Sequence, residues 1–213
     1  MRANTDPAFV DDGNAIIFTS VSAKTGESTI LRLDLRSGDV LSLTNATAGA
    51  LRADDDRPAV SKDGQRIAFS TTIGTSKEIA VVGPDGNEFR RLTDDDWFDT
   101  APAWSPDGRS IVYSSFRKST QEKLAADIAK NGLRVGKGWA LVRIDLATGT
   151  QTVLTGDLPT PAWDPCYSPD GKAIAFITKG TSSFDVWKVP PDGGRAEPIA
   201  VTPSRNELYV DWK

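Results

Sequence analysis

Short apolar runs broken by Asp-Gly alternate along this chain. In Ala101–Ser115, APAWSPDGRSIVYSS, a proline-containing apolar run meets the turn SPDG and then a second apolar run, SIVYSS. The phrase recurs as DPAFVDDGNAIIFTS at Asp6–Ser20, RPAVSKDGQRIAFST at Arg57–Thr71 and DPCYSPDGKAIAFIT at Asp164–Thr178. Four copies of one phrase predict a repeat architecture.

Each repeat reads as four strands, a to d. Strand a is Pro7–Val10, Pro58–Ser61, Pro102–Trp104 and Pro165–Tyr167, and Asp-Gly follows at 12–13, 63–64, 107–108 and 170–171. Glycine accepts positive φ at little cost, so Asp-Gly between apolar runs predicts a hairpin. Strand b carries the pairs Ile16/Phe18, Ile67/Phe69, Ile111/Tyr113 and Ile174/Phe176. A spacing of two puts each pair on one face. The residues between them, Ile17, Ala68, Val112 and Ala175, are also apolar, so strand b is expected to be covered on both faces. Strand c is Ile30–Leu35, Ile79–Val82, Leu141–Leu146 and Val186–Val189, each ending in a second glycine turn. Strand d closes the repeat on Leu43-Thr44, Leu92-Thr93, Leu154-Thr155 or Val201-Thr202. From the first turn glycine to the closing Thr, three repeats agree within two residues, and the third is about 16 longer, between strands b and c.

Four short antiparallel strands per repeat predict an all-β propeller. Its blades would span about 6–44, 57–93, 101–155 and 164–202 within a single domain, 1–213. Strand parity puts the a–b and c–d turns on one face and the b–c loops and blade-to-blade connections on the other. The first face has only minimal glycine turns. The second carries Ser20–Ser28, Asn45–Asp56, Thr71–Glu78, Asp94–Thr100, Phe116–Gly138 and Gly156–Asp164. Binding residues usually sit on such loops over a rigid scaffold. The candidates are Asp55, Asp56, Asp95, Asp96, Trp97, Asp99, Asp157, Asp164, Arg117 and Lys123.

In the blade-three insertion, Ser119 and Glu122 form a capping-box pattern, Leu124, Ala125 and Ile128 follow at helical spacing, and Asn131-Gly132 signals a C-terminus. A helix of about three turns is expected there, either packed on the blade edge or contacting a partner. Two readings also stand for the acidic clusters. An Asp entering strand a can accept backbone N–H bonds at the blade junction, at Asp6, Asp56, Asp99 and Asp164. Alternatively, carboxylates converging on a channel hold Ca²⁺. The expectation is no cofactor, with channel Ca²⁺ as the alternative.

Composition narrows the chemistry. The chain lacks histidine, which removes Ser-His-Asp and Cys-His catalysis and His-ligated metals. No G-x-S-x-G elbow or P-loop occurs. A single cysteine, Cys166, leaves no intramolecular disulfide and reads as a strand spacer. The net charge of −4 argues against a nucleic-acid surface, and the basic residues around Arg117 and Lys123 read as a solvated face. No apolar run reaches membrane-spanning length, and no signal peptide is evident at Met1–Asp6, leaving a cytoplasmic protein or a trimmed one.

The phrase DTAPAWSPDGRSIVYSS, followed by a c strand, a glycine turn and LT, resembles the TolB-type, WD-like β-propeller repeat. The resemblance covers essentially the whole chain and implies a periplasmic or otherwise extracytoplasmic scaffold. It departs from the family in blade number: TolB-type propellers commonly have six or more blades. Here there are four repeats and a fragment, NELYVDWK at 206–213, matching the start of a fifth. The chain is then part of a larger propeller, associates with a neighbour through Leu208–Trp212, or closes alone with that strand as a clasp. A non-catalytic protein- or peptide-binding propeller is the leading reading. The alternatives are the gating propeller of a prolyl-oligopeptidase-like peptidase and a carboxylate-based polysaccharide-active enzyme.

Overall fold

The structure is a computed structural model that describes residues 3–44, 52–117, 138–156, 158–179 and 183–200. The expected insertion helix and the strand at 206–213 lie outside these residues. The described residues form sixteen strands, and among them the one helical element is a 3₁₀ turn at Asp11–Gly13. The chain divides into two compact units, Met1–Pro102 and Ala103–Lys213.

The first unit holds two antiparallel meanders. One is β1 (Ala3–Val10), β2 (Ala15–Val21), β3 (Ser28–Asp34) and β4 (Val40–Ser42). The next is β5 (Arg52–Val60), β6 (Ile67–Ile73), β7 (Ser76–Val82) and β8 (Arg90–Arg91). The boundary falls inside β9 (Phe98–Trp104), which opens the third meander. That meander continues through β10 (Ser110–Arg117), β11 (Gly138–Asp145) and β12 (Gln151–Val153). The fourth is β13 (Ala162–Tyr167), β14 (Ile174–Lys179), β15 (Phe184–Val189) and β16 (Glu197–Ala200).

The a–b turn is built by its serine and aspartate. Ser61 Oγ donates to Asp63 Oδ1 (2.5 Å) and accepts from Arg66 N–H (2.9 Å), and the Gln65 N–H reaches the same carboxylate (3.1 Å). Ser105 with Asp107, and Ser168 with Asp170, repeat the arrangement. These bonds favour the ionised carboxylate and hold all three aspartates below the usual 3.8, the serine hydroxyl being the largest cause. In the first repeat Val10 stands where the serine should be, and the 3₁₀ turn replaces the motif, with Asp12 at φ 53°.

The Leu-Thr ending has a comparable reason. Leu43, Leu92 and Leu154 donate backbone N–H bonds to Ile30, Ile79 and Leu141 in strand c. The next residue's hydroxyl accepts the N–H of that same strand-c residue: Thr44 from Ile30 (3.2 Å), Thr93 from Ile79 (2.9 Å), Thr155 from Leu141 (2.9 Å). Leucine fills the core while threonine satisfies a backbone donor that strand d leaves open.

Residues preceding the strand-a prolines share one unusual conformation. Asp6, Arg57, Ala101 and Asp164 all lie at φ 50–53°. The pairing register shifts there, between Thr5 and Ala8, Asp56 and Ala59, and Trp163 and Cys166. Right-handed helical geometry is disfavoured before proline, and these residues take the left-handed one at a cost of order 1 kcal/mol or more each. Two of them are held by the neighbouring strand b: Ala101 N–H donates to Ser70 Oγ (3.2 Å) and Asp164 N–H to Ser114 Oγ (3.0 Å). At these junctions the side-chain acceptor is therefore a strand-b serine. The four aspartates are also not equivalent: Asp6 and Asp164 precede proline directly, whereas Asp56 and Asp99 lie further upstream, and all four are inside strands.

The core is packed between successive meanders in each unit. Val10, Ala15, Ile17, Ile30 and Leu43 of the first meet Ile67, Phe69, Ala80 and Val82 of the second. Val112, Leu141 and Leu154 of the third meet Ala162, Ile174, Phe176 and Val189 of the fourth. The strands run further toward the loop face than the sequence suggests. Thr71–Glu78 is not a loop: Thr71 pairs with Glu78, Thr72 with Lys77 and Ile73 with Ser76 around a turn at Gly74-Thr75. β-Branched residues favour the extended backbone, and Gly74 at φ 64° supplies the tight reversal.

Candidate functional site

That hairpin carries two charges the loop reading overlooks. Lys77 is 9% exposed and Glu78 fully buried, both at the start of β7. Lys77 Nζ pairs with Asp56 on β5 and lies 5.6 Å from the centroid of the Phe98 ring. Burial is the largest influence on Asp56 and raises its carboxyl above the usual 3.8, while Lys77 opposes the shift. Phe98 keeps 44% of its surface in solvent.

Glu78 is surrounded by donors. Its Oε1 accepts from Ser76 Oγ (2.6 Å) and Arg91 Nη2 (2.9 Å), and its Oε2 from Thr93 Oγ1 (2.7 Å). Arg91 also pairs with the exposed Asp94 (2.6 Å). Carboxylate oxygens of Glu78, Asp95 and Asp99 all lie within 4.8 Å of one another. Asp99 is buried on β9, and Asp95 is half-buried and accepts the Trp97 N–H (2.9 Å).

The structure therefore brings Asp56 and Phe98 to Lys77, and Asp95 and Asp99 to the Arg91-paired Glu78, at the loop end of the first unit, with Asp96 and Trp97 next to them in the chain. Asp55 is 4% exposed on the same strand as Asp56. Asp164 belongs to the second unit, beside Ser114. Asp157, Lys123 and the Arg117 side chain lie outside what is described. Lys77, Glu78 and Arg91 were not singled out from the sequence, because an isolated charge in a strand carries no local signature. Thr93 is the one flag: its fixed place in the repeat faces Glu78. A cleft of about 540 Å³ lies elsewhere, on the turn face between Phe9–Gly13 and Val60–Gly64, lined largely by backbone-rich turns and without the acidic cluster.

Comparison with known proteins matches this repeat. No family model matches the chain. It is 37% identical over 101 residues to Tol-Pal system protein TolB 1 of Novosphingobium aromaticivorans, covering 46% of this chain and 18% of that protein. The crystal structure of TolB from Acinetobacter baumannii superimposes with a TM-score of 0.69 at 22% identity, covering 94% of this chain and 44% of the other. The repeats are thus similar to those of TolB-type β-propellers. The chain is also 29% identical over 207 residues to the uncharacterized peptidase YuxL of Bacillus subtilis (strain 168), covering 86% of this chain and 31% of that protein. It thus spans less than half the length of each of these three relatives. No helix among the described residues is long and apolar enough to cross a membrane.

Proposed function

We propose that this chain is a non-catalytic scaffold contributing four TolB-type blades, 6–44, 57–93, 101–155 and 164–202, and binding a peptide segment of a protein partner through its loop-rich face. The TolB relatives also support an extracytoplasmic location. The observation that carries the binding reading is the rim around Phe98. The carboxylates that reach the surface here, Asp54, Asp56, Asp94, Asp95 and Asp96, outnumber the cations Arg57, Lys77 and Arg91, and Phe98 stands exposed beside them. An exposed ring framed by carboxylates suits a peptide carrying Lys or Arg next to an apolar residue, since its cation gains from both charge and ring face.

The test uses the full chain and an array of short peptides, with binding followed by tryptophan fluorescence. Basic-aromatic peptides should bind in the micromolar range, with affinity lost at least tenfold in Phe98→Ala and in Asp95→Asn/Asp96→Asn. Asp63→Asn, on the opposite turns, should leave affinity unchanged. Equal loss from the turn variant, or a preference for acidic peptides, would sink the proposal.

A second reading is favoured by the YuxL relationship: the blades gate a separate catalytic domain. In that arrangement the acidic rim would filter substrate peptides by charge. Steady release of cleaved peptide by the isolated chain would contradict both readings, since each gives the blades no chemistry of their own.

A further inference from the structure

An aspartate followed by glycine carries a latent reaction. The glycine amide nitrogen can attack the aspartate side-chain carbonyl carbon, because glycine has no side chain to block the approach. One N–C bond forms. A carboxyl oxygen leaves as water, taking the amide proton and the proton of the neutral acid. The product is a five-membered succinimide, which water opens at either carbonyl. Opening at the side-chain carbon restores aspartate. Opening at the main-chain carbon leaves the backbone running through the side chain, as isoaspartate. Nothing is oxidised or reduced, and the net composition is unchanged.

The chain has six Asp-Gly pairs, at 12–13, 63–64, 85–86, 107–108, 170–171 and 192–193. They differ in what holds the carboxylate. In the a–b turns of the last three repeats, three bonds oppose the attack. The Ser61 hydroxyl and the Gln65 N–H both donate to Asp63, and the Gly64 N–H donates to the Ser61 carbonyl (2.8 Å). The turns at Asp107 and Asp170 keep the same three bonds, with the Gly108 and Gly171 nitrogens each 2.9 Å from the serine carbonyl. Donors stabilise the carboxylate, whereas the reaction needs the neutral acid. The serine carbonyl in turn ties the glycine nitrogen into the turn. In the c–d turns, Asp85 accepts from the Asn87 N–H (3.0 Å) and Asp192 from Arg143 (2.6 Å).

Asp12 lacks these donors. Val10 stands at the serine position and has no hydroxyl to give. Among the described residues, no hydrogen bond reaches the Asp12 carboxylate. Its backbone is left-handed, at φ 53° and ψ 35°, a region that Asp63, Asp107 and Asp170 avoid. Each later turn supplies its donors from within itself, so the contrast belongs to the turn and not to its neighbours.

We propose that Asp12-Gly13 is a site of spontaneous isoaspartate formation, and that the serine of the later a–b turns suppresses the same reaction at Asp63, Asp107 and Asp170. The consequence falls on the first hairpin. Val10 and Ala15 flank this turn as a cross-strand pair, 7% and 0% exposed. An isoaspartyl link adds one backbone carbon between them, so the register of β1 on β2 should loosen in aged protein.

Site-resolved peptide mapping tests the proposal. The full chain is aged for weeks at mildly acidic pH and physiological temperature, then digested. Chromatography separates the aspartyl and isoaspartyl peptides, which have equal mass, and fragmentation assigns the residue. Isoaspartate should accumulate at Asp12 about tenfold faster than at Asp63, Asp107 or Asp170, the factor expected for one lost bond to a charged acceptor. Short peptides of the four phrases should show no such spread. Ser105→Ala, with wild-type circular dichroism, should raise the rate at Asp107 about tenfold and leave Asp12 unchanged. Equal rates at the four sites of the folded chain overturn the proposal. So does a spread that the short peptides reproduce, because the residue after glycine would then set it. An unmoved Asp107 in Ser105→Ala overturns the role given to the serine.

Discussion

The Lys77 amine lies where only 11% of its side chain meets water, with Asp56 and the Phe98 ring beside it. Removing one member of a buried pair leaves the other desolvated and uncompensated. Lys77→Met should cost about 2 kcal/mol at neutral pH, below the value for a fully buried pair because Asp56 keeps 28% of its side chain exposed. The pH dependence has a definite sign. Asp56 already titrates above its usual 3.8, and without Lys77 it rises further. A carboxyl that binds its proton more readily in the fold than in the unfolded chain gains stability as pH falls. The variant should therefore recover part of its loss as pH drops through the raised value of Asp56, and no more below 3.8. Urea unfolding at several pH values checks this, and a loss independent of pH would show that Lys77 matters through packing alone. Arg91 plays a related part beside Glu78, Asp95 and Asp99. Its guanidinium already supplies the cation, so millimolar Ca²⁺ should move the melting temperature of the wild-type chain by less than about 1 °C. Arg91→Gln should make it Ca²⁺-dependent, and a large Ca²⁺ shift in the wild type would mean that the cluster is a metal site.

In the first three repeats strand d closes on a single hydroxyl, and these repeats do not depend on it equally. Thr155 accepts one backbone bond, whereas Thr93 accepts from Ile79 and donates to buried Glu78. Thr→Val keeps shape and volume. At 155 it should cost about 1 kcal/mol, the loss of one hydrogen bond, and at 93 about 2–3 kcal/mol, because Glu78 loses a donor to a charged oxygen. Chemical denaturation of the two variants gives the comparison, and equal losses would remove Glu78 from the account. The a–b turns respond to acid. Asp63, Asp107 and Asp170 titrate below 3.8, so what they contribute is present above that value and lost as pH falls through their lower folded values. Ser61→Ala, Ser105→Ala and Ser168→Ala together should flatten the acid limb of stability. An unchanged limb would assign acid sensitivity to other carboxylates. The positions of these turns and strands were legible because alternation at period two, Asp-Gly and Leu-Thr are local signals that four copies repeat. Their extents were less so. Thr71–Glu78 reads as polar and loop-like, yet cross-strand pairing extends the hairpin to its tip. The site was legible only by halves: Asp95, Trp97 and Asp99 announced themselves as a cluster. Their partners Lys77, Glu78 and Arg91 are single charges that the register brings there.

The whole chain carries a net charge of −4, but the charges are not spread evenly. Several of the carboxylates crowd the loop end of the first unit. Binding at that end should thus answer to salt. Binding of a basic peptide at the rim draws on attraction between charges that remain partly in water, which salt screens over about 10 Å at 0.1 M. Raising salt from about 0.05 to 0.5 M should weaken that affinity about tenfold, mostly through slower association. Peptide titration across a salt series reads the effect. Insensitivity of the peptide affinity would mean that Phe98, rather than the carboxylates around it, does the recognising.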